Sequence, residues 1–217
     1  MDYQKKYTPA LGYDFLTAYY DMAIKITMPE KKFRKLLVDE TYPQANEQIL
    51  EFGFGTGQNL ILMQKENPSS KLQGLDIDPK VKAIAEHKLA KNNIKIPLNL
   101  YEGKMFPFAE NSFDKVYSCL VFHQLDAETK LHCLIELNRI LKPKGKLIIA
   151  DWGKAQNSLM RFTFGFVQLL DGFKTTNDNV KGFMPSFIEK AGFENVVVTK
   201  SINTMIGTFS YFKANKK

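Results

Sequence analysis

Three observations predict an α/β fold of the Rossmann-like kind: a seven-stranded, mostly parallel sheet with helices on both faces and an antiparallel last strand. Short β-type runs alternate with helical patterns along most of the chain. A glycine loop, "GFGTG", stands directly between the first of these strands and the helix that follows it. The last two β-type runs are separated by only about three residues, too few for a parallel crossover, so they are expected to be antiparallel neighbours.

The elements follow in order. "QIL" through Phe52 reads as a strand and "GQNLILMQKE" as a helix. "KLQGLDI" is the second strand, and Pro79 to Asn92 a helix opened by Pro79 in its first turn, with Asp78 as the residue that caps it. "IPLNLYEG" and "FDKVYSCLVF" are strands three and four. Ala127 to Leu141 is a helix with Leu131, Leu134, Ile135 and Leu141 broadly on one face, and "KLIIAD" is the fifth strand. "FMPSFIEKAG" is a helix stopped at Gly192, and "ENVVVTKS" and "MIGTFSYFKA" close the sheet. A chain of 217 residues, 44% of them hydrophobic, supports one complete core rather than two. The expected organisation is a single domain over 1–217, with an N-terminal helical cap over 1–46 and a lid-like insertion over 154–182.

Composition narrows the class. The two cysteines, Cys119 and Cys133, show neither zinc-site spacing nor a disulfide framework, and no leader or membrane span is evident. A cytoplasmic protein without a bound metal is expected. The net charge of +7 is spread along the chain among acidic residues, which fits a lysine-rich surface better than a nucleic-acid footprint. The sequence carries no signal for oligomeric state.

In an open α/β sheet a ligand sits beyond the carboxyl ends of the strands, where Gly53, Gly55 and Gly57 let it approach the backbone at a helix N-terminus. The dinucleotide fingerprint requires Gly or Ala where Gln58 stands, which disfavours a nicotinamide-dependent oxidoreductase. Asp76 ends the second strand about 20 residues past the loop, where a carboxylate accepts hydrogen bonds from ribose hydroxyls. A nucleoside-containing ligand is implied.

With "ILEFGFGTG", "GLDIDP", "YEGKMFPFAENSFDKVYS", "LNRILKPKGKLIIAD" and "FIEKAGFENVVV" in this order, the chain resembles the class I S-adenosylmethionine-dependent methyltransferases. Within them it is similar to the ubiquinone/menaquinone-biosynthesis C-methyltransferase group. The resemblance implies S-adenosylmethionine as cofactor, Glu51 facing its ammonium, Asp76 and Ile77 on its ribose side, and Glu102, Gly103 and Met105 on its adenine side. Tyr20 would cover the methionine end, and Ser118 closes the fourth strand beside the ligand. Phe54 replaces a small residue of the family, so a ring is expected beside the cofactor, and Phe106 is expected to join Met105 against the adenine. Lys144 stands where the family commonly has glycine.

Methyl transfer from a sulfonium is an in-line displacement governed mainly by positioning. A carbon or phenol nucleophile also needs a base, and His123, just past the fourth strand, is the candidate catalytic residue. His87 and His132 sit in helices without evident partners and carry no functional reading. No Asn-Pro-Pro-aromatic or Pro-Cys motif follows strand four, so nucleic acid loses weight as an acceptor. The apolar insertion, with Phe162, Phe164, Phe166 and Phe173, favours a small hydrophobic or lipid-like acceptor, and "KKFRK" fits peripheral contact with an anionic membrane. Two alternatives stay open: a methyltransferase-like protein that binds the donor without turnover, and the oxidoreductase.

Overall fold

The computed structural model describes residues 29–103, 105–154, 156, 165, 173–204 and 207–217. Its elements are α1 (Glu30–Thr41), β1 (Gln48–Phe52), α2 (Gln58–Glu66), β2 (Lys71–Asp76), α3 (Pro79–Lys91) and β3 (Leu98–Leu100). They continue with β4 (Phe113–Cys119), a 3₁₀ turn (Phe122–Gln124), α4 (Ala127–Ile140), β5 (Leu141–Trp152), α5 (Phe173–Lys181), α6 (Met184–Lys190), β6 (Phe193–Thr204) and β7 (Gly207–Lys216).

The seven strands form one sheet in the order β3-β2-β1-β4-β5-β7-β6. Pairs among β1 to β5 are parallel, and β7 runs antiparallel to both β5 and β6. The order reverses between β1 and β4, which places a crevice at the carboxyl ends of these strands. Alternation along the strands feeds two cores. Ile49, Tyr117, Ile148 and Ala150 face α1, α2 and α3, whereas Leu50, Phe52, Val116 and Ile149 face α4 and α6.

Local chemistry explains the boundaries. Asp78 caps α3 by accepting from the Lys80 N–H, and Asp126 caps α4 by accepting from Thr129. The third strand is shorter than its sequence suggests, and the fifth starts at Leu141 rather than Lys146, since Leu141 already pairs with Phe113. The ladder shifts register between Phe113 and Lys115, opposite "KPKG", where Lys144 has a φ of 61°, a left-handed backbone in which glycine would be at ease. On α4 the buried stripe is Cys133, Leu134, Leu137 and Ile140, while Ile135 is 47% exposed and lies off it. "KKFRK" belongs to α1, and its Phe33 and Arg34 turn into the protein, which leaves only the lysines exposed.

Candidate functional site

The loop after β1 uses its glycines for different reasons. Gly53 has a φ of 73°, donates to the Leu75 carbonyl at 2.7 Å, and would drive a Cβ to 2.2 Å from the Val121 side chain. Gly55 also has positive φ, 49°, but a Cβ there would meet nothing within 4 Å. That open space beside bare backbone is a cradle for a ligand. Gly57 lets the start of α2 approach Ala85 of α3. The Phe54 ring corrects the sequence expectation: it is buried in the core against Gly74 of β2, so only the backbone of this residue faces the crevice.

Asp76 ties the loop to β2. One carboxylate oxygen accepts from Gly55 N–H at 2.8 Å, and the other from Ile77 at 2.7 Å and Asp78 at 3.1 Å. Burial raises its carboxyl to about 6, against the lowering effect of these three bonds. An ionised carboxylate has about four acceptor sites, so three are engaged and one is left for a ligand hydroxyl.

Glu51 is fully buried. It accepts from Asn59 Nδ2 at 2.8 Å and from the Tyr117 hydroxyl at 3.1 Å. Arg34 of α1 donates to Asn59 Oδ1, which fixes the amide so that its NH₂ faces Glu51. Burial pushes the Glu51 carboxyl up to about 8, opposed by Asn59, Tyr117 and the Arg34 charge. A ligand ammonium brought alongside would ionise it. Sequence reasoning missed Arg34, Asn59 and Tyr117; the signal that could have placed this arginine inward is its i+3 and i+4 spacing to Leu37 and Val38, which share its buried face.

On the far side of the crevice, Glu102 and Gly103 are exposed, with Ile77 packing 3.8 Å from the position of a Cβ on Gly103. Met105 is 71% exposed and available to a flat ligand. Phe106 is not: its ring lies in the core against Phe52 and Tyr101, and its N–H donates to Glu136, so the expectation for this residue is corrected. Ser118 is buried near the end of β4, with no hydrogen-bond partner for its hydroxyl among the described residues. Tyr20 and the phenylalanines at 162, 164 and 166 lie outside the described residues.

His123 sits in the 3₁₀ turn after β4, 3% exposed. Its Nδ1 is 2.7 Å from Asp151 Oδ1, and its backbone N–H donates to Asp151 Oδ2 at 3.2 Å. Trp152 N–H also donates to Asp151 Oδ1, at 2.7 Å, so the carboxylate is held from several directions. A carboxylate facing Nδ1 favours the tautomer with a lone pair on Nε2, the arrangement of an oriented general base. Asp151 was not singled out from the sequence, because it lies 28 residues away in the fifth strand. His87 and His132 are exposed on helices.

The donor set fits a zwitterionic nucleoside: an open backbone cradle at Gly55, a carboxyl for its ribose, and a buried carboxyl for its ammonium. Residues 50–149 match the family described as a methyltransferase domain. The demethylmenaquinone methyltransferase of Lactobacillus johnsonii is 26% identical over 208 residues, covering 87% of this chain and 82% of its own length. The ubiquinone/menaquinone biosynthesis C-methyltransferase UbiE of Geotalea daltonii is 25% identical over 162 residues, covering 73% of this chain and 66%, just under two thirds, of its own. A crystal structure of a SAM dependent methyltransferase from Aquifex aeolicus shares the fold with a TM-score of 0.61 at 21% identity, over 89% of this chain and 96% of that one. Residues 50–149 thus match a methyltransferase domain, the chain shares its fold with an S-adenosylmethionine-dependent methyltransferase, and it is similar to the demethylmenaquinone and ubiquinone/menaquinone-biosynthesis C-methyltransferases.

Proposed function

We propose that the chain methylates a ring carbon of a hydrophobic phenol or quinol, with His123 as the general base. The observation that carries this reading is the buried His123–Asp151 pair at the carboxyl ends of β4 and β5. A hydroxyl-bearing ring is a weak carbon nucleophile until its O–H proton is taken up, and an imidazole oriented by a carboxylate suits that task near neutral pH.

The donor supplies an electrophilic methyl group on a sulfonium. Glu51, held by Asn59 and Tyr117, would receive its ammonium; Asp76 its ribose; Glu102, Gly103 and Met105 its adenine end. His123 Nε2 would accept the acceptor's hydroxyl proton while Asp151 stabilises the resulting imidazolium. The ring carbon then takes the methyl group as the C–S bond breaks and its electron pair returns to sulfur; that carbon's hydrogen leaves to solvent as a proton to restore aromaticity, and the oxygen regains a proton from the imidazolium. Burial of His123 keeps water from the pair. The relatives' names support a quinone-type acceptor, as does the apolar composition of the 154–182 insertion. Lys31 and Lys32, exposed on α1, would favour contact with the anionic membrane that holds such acceptors, whereas Lys35 is engaged by Asp39.

The test uses the full chain, methyl-labelled donor and a reduced naphthoquinol lacking the ring methyl group and carrying a short prenyl chain. Label should enter the ring, and His123→Gln should lower turnover by about 10²- to 10⁴-fold with donor affinity intact. Full activity of His123→Gln removes the base assignment. Donor binding without transfer to the naphthoquinol, or to any extractable lipid, removes the acceptor assignment.

A further inference from the structure

We infer that Lys130 is a positioning residue of the transfer site, pinning α5 against the 3₁₀ turn that carries His123 and setting the proton affinity of the His123–Asp151 pair. The inference rests on the reading of His123 as the base.

Lys130 lies on α4, one helical turn from the buried Cys133 and Leu134, and is completely buried. Its ammonium donates to the Thr175 carbonyl of α5 at 2.7 Å, stands 3.6 Å from Asp178 Oδ2 of the same helix, and lies 5.8 Å from the centroid of the Phe187 ring of α6. Burial lowers its proton affinity, and the carboxylates of Asp178, Asp151 and Asp126 raise it. Enclosing an ammonium costs several kcal/mol that a methionine of similar volume would not incur, so packing alone does not explain a lysine here.

What the charge holds is informative. The inward side of α5 is polar, with Thr176 and Asn179 fully buried beside Val180. The helix docks through hydrogen bonds: Lys130 to the Thr175 carbonyl, and Asn179 Nδ2 to the Trp152 carbonyl at 3.1 Å. Both act next to the catalytic pair, because the Trp152 N–H binds the same Asp151 oxygen that faces His123. Among the described residues, the carboxylates that act on Lys130 are Asp178 on α5, Asp151 on β5 and the capping Asp126 on α4, so Lys130 and these acids share one neighbourhood with the His123–Asp151 pair. A cation near Asp151 offsets part of the negative field at the imidazole. It keeps His123 from holding its proton too tightly to act as a base.

The experiment is a histidine titration of the full chain by NMR with isotope-labelled histidine. The chain has three histidines, and His123 is assigned as the resonance lost in His123→Gln. Lys130→Met should raise the His123 midpoint by about half a pH unit or more, and Asp178→Asn, which removes an anion and leaves the cation, should lower it. Hydrogen exchange of residues 173–181 should be faster in Lys130→Met, as the pin on α5 is lost. A purely structural lysine would change exchange and leave both midpoints in place. Unmoved midpoints in folded variants overturn the inference, as does a downward shift in Lys130→Met. If Lys130→Met does not fold, Asp178→Asn decides alone by the same criterion. The base assignment fails separately, by full turnover in His123→Gln, even when the midpoints move.

Discussion

Glu51→Gln probes the buried end of the donor site, and its effect can be sized. The Glu51 carboxyl is raised by burial from an ordinary value of 4.5 to about 8. A group raised in the folded state contributes stability that is fully present below its unfolded value and lost as the pH climbs through its folded one. Here the window runs from about 4.5 to about 8, and at about 1.36 kcal/mol per unit the loss is on the order of 3–5 kcal/mol. Glutamine is neutral throughout. Its Oε1 can accept from Asn59 and its NH₂ can donate to the Tyr117 oxygen, as a protonated glutamic acid would. Urea denaturation of the ligand-free chain at steps between pH 5 and 8.5 measures the difference between wild type and variant, in which other titrations cancel. The variant should gain progressively on the wild type as the pH rises. Donor binding reports the same group with opposite consequence, because an ammonium ligand requires the ionised form. Between pH 6.5 and 7.5, below the α-amino range of about 7.7–8.0, the wild type's affinity for S-adenosylhomocysteine should rise close to tenfold. Glu51→Gln should bind more weakly and without that slope. Parallel stability profiles and parallel binding profiles would refute the reasoning.

Gly55→Ala should cost only the strain of left-handed backbone, about 1–2 kcal/mol, yet weaken donor binding more than tenfold, because its Cβ enters the cradle. Gly53→Ala should lower the melting temperature further, since its Cβ collides with Val121. Asp76→Ala should lose roughly 1.5–3 kcal/mol of donor affinity by calorimetry, the range for hydrogen bonds to a charged group. Asp151→Asn should cut turnover by about 10²- to 10⁴-fold with unchanged donor affinity, because an amide no longer selects the tautomer. Phe106→Ala should destabilise the fold by about 3–5 kcal/mol as a core truncation, whereas Met105→Ala should leave stability intact and weaken the donor.

The mostly parallel sheet, the antiparallel last strand, the glycine loop after β1 and the place of Asp76 at the end of β2 were legible because they follow from spacing along the backbone. Asp78 as the cap of α3 was legible for the same reason. Side-chain direction was less so. Phe54 turns into the core because Gly74 on the neighbouring strand leaves room for its ring, and nothing local in "GFGTG" reveals that partner. Phe106 is drawn inward by Phe52 and Tyr101, so only its neighbour Met105 stays at the crevice. Charges that look like surface in a linear reading, Arg34 and Lys130, are buried because their partners, Asn59 and Thr175, come from distant segments. Asp151 was hidden in the same way, inside a run read only as strand.

The most direct measurement is transfer of methyl label from S-adenosylmethionine by the purified chain in the presence of a total lipid extract, followed by partition between organic solvent and water. Label is expected in a single organic-phase product carrying a new carbon-bound methyl group, reduced together with donor affinity in Asp76→Ala and reduced without loss of donor affinity in His123→Gln. Label confined to the aqueous phase, or a chain that binds the donor and transfers nothing, would contradict it.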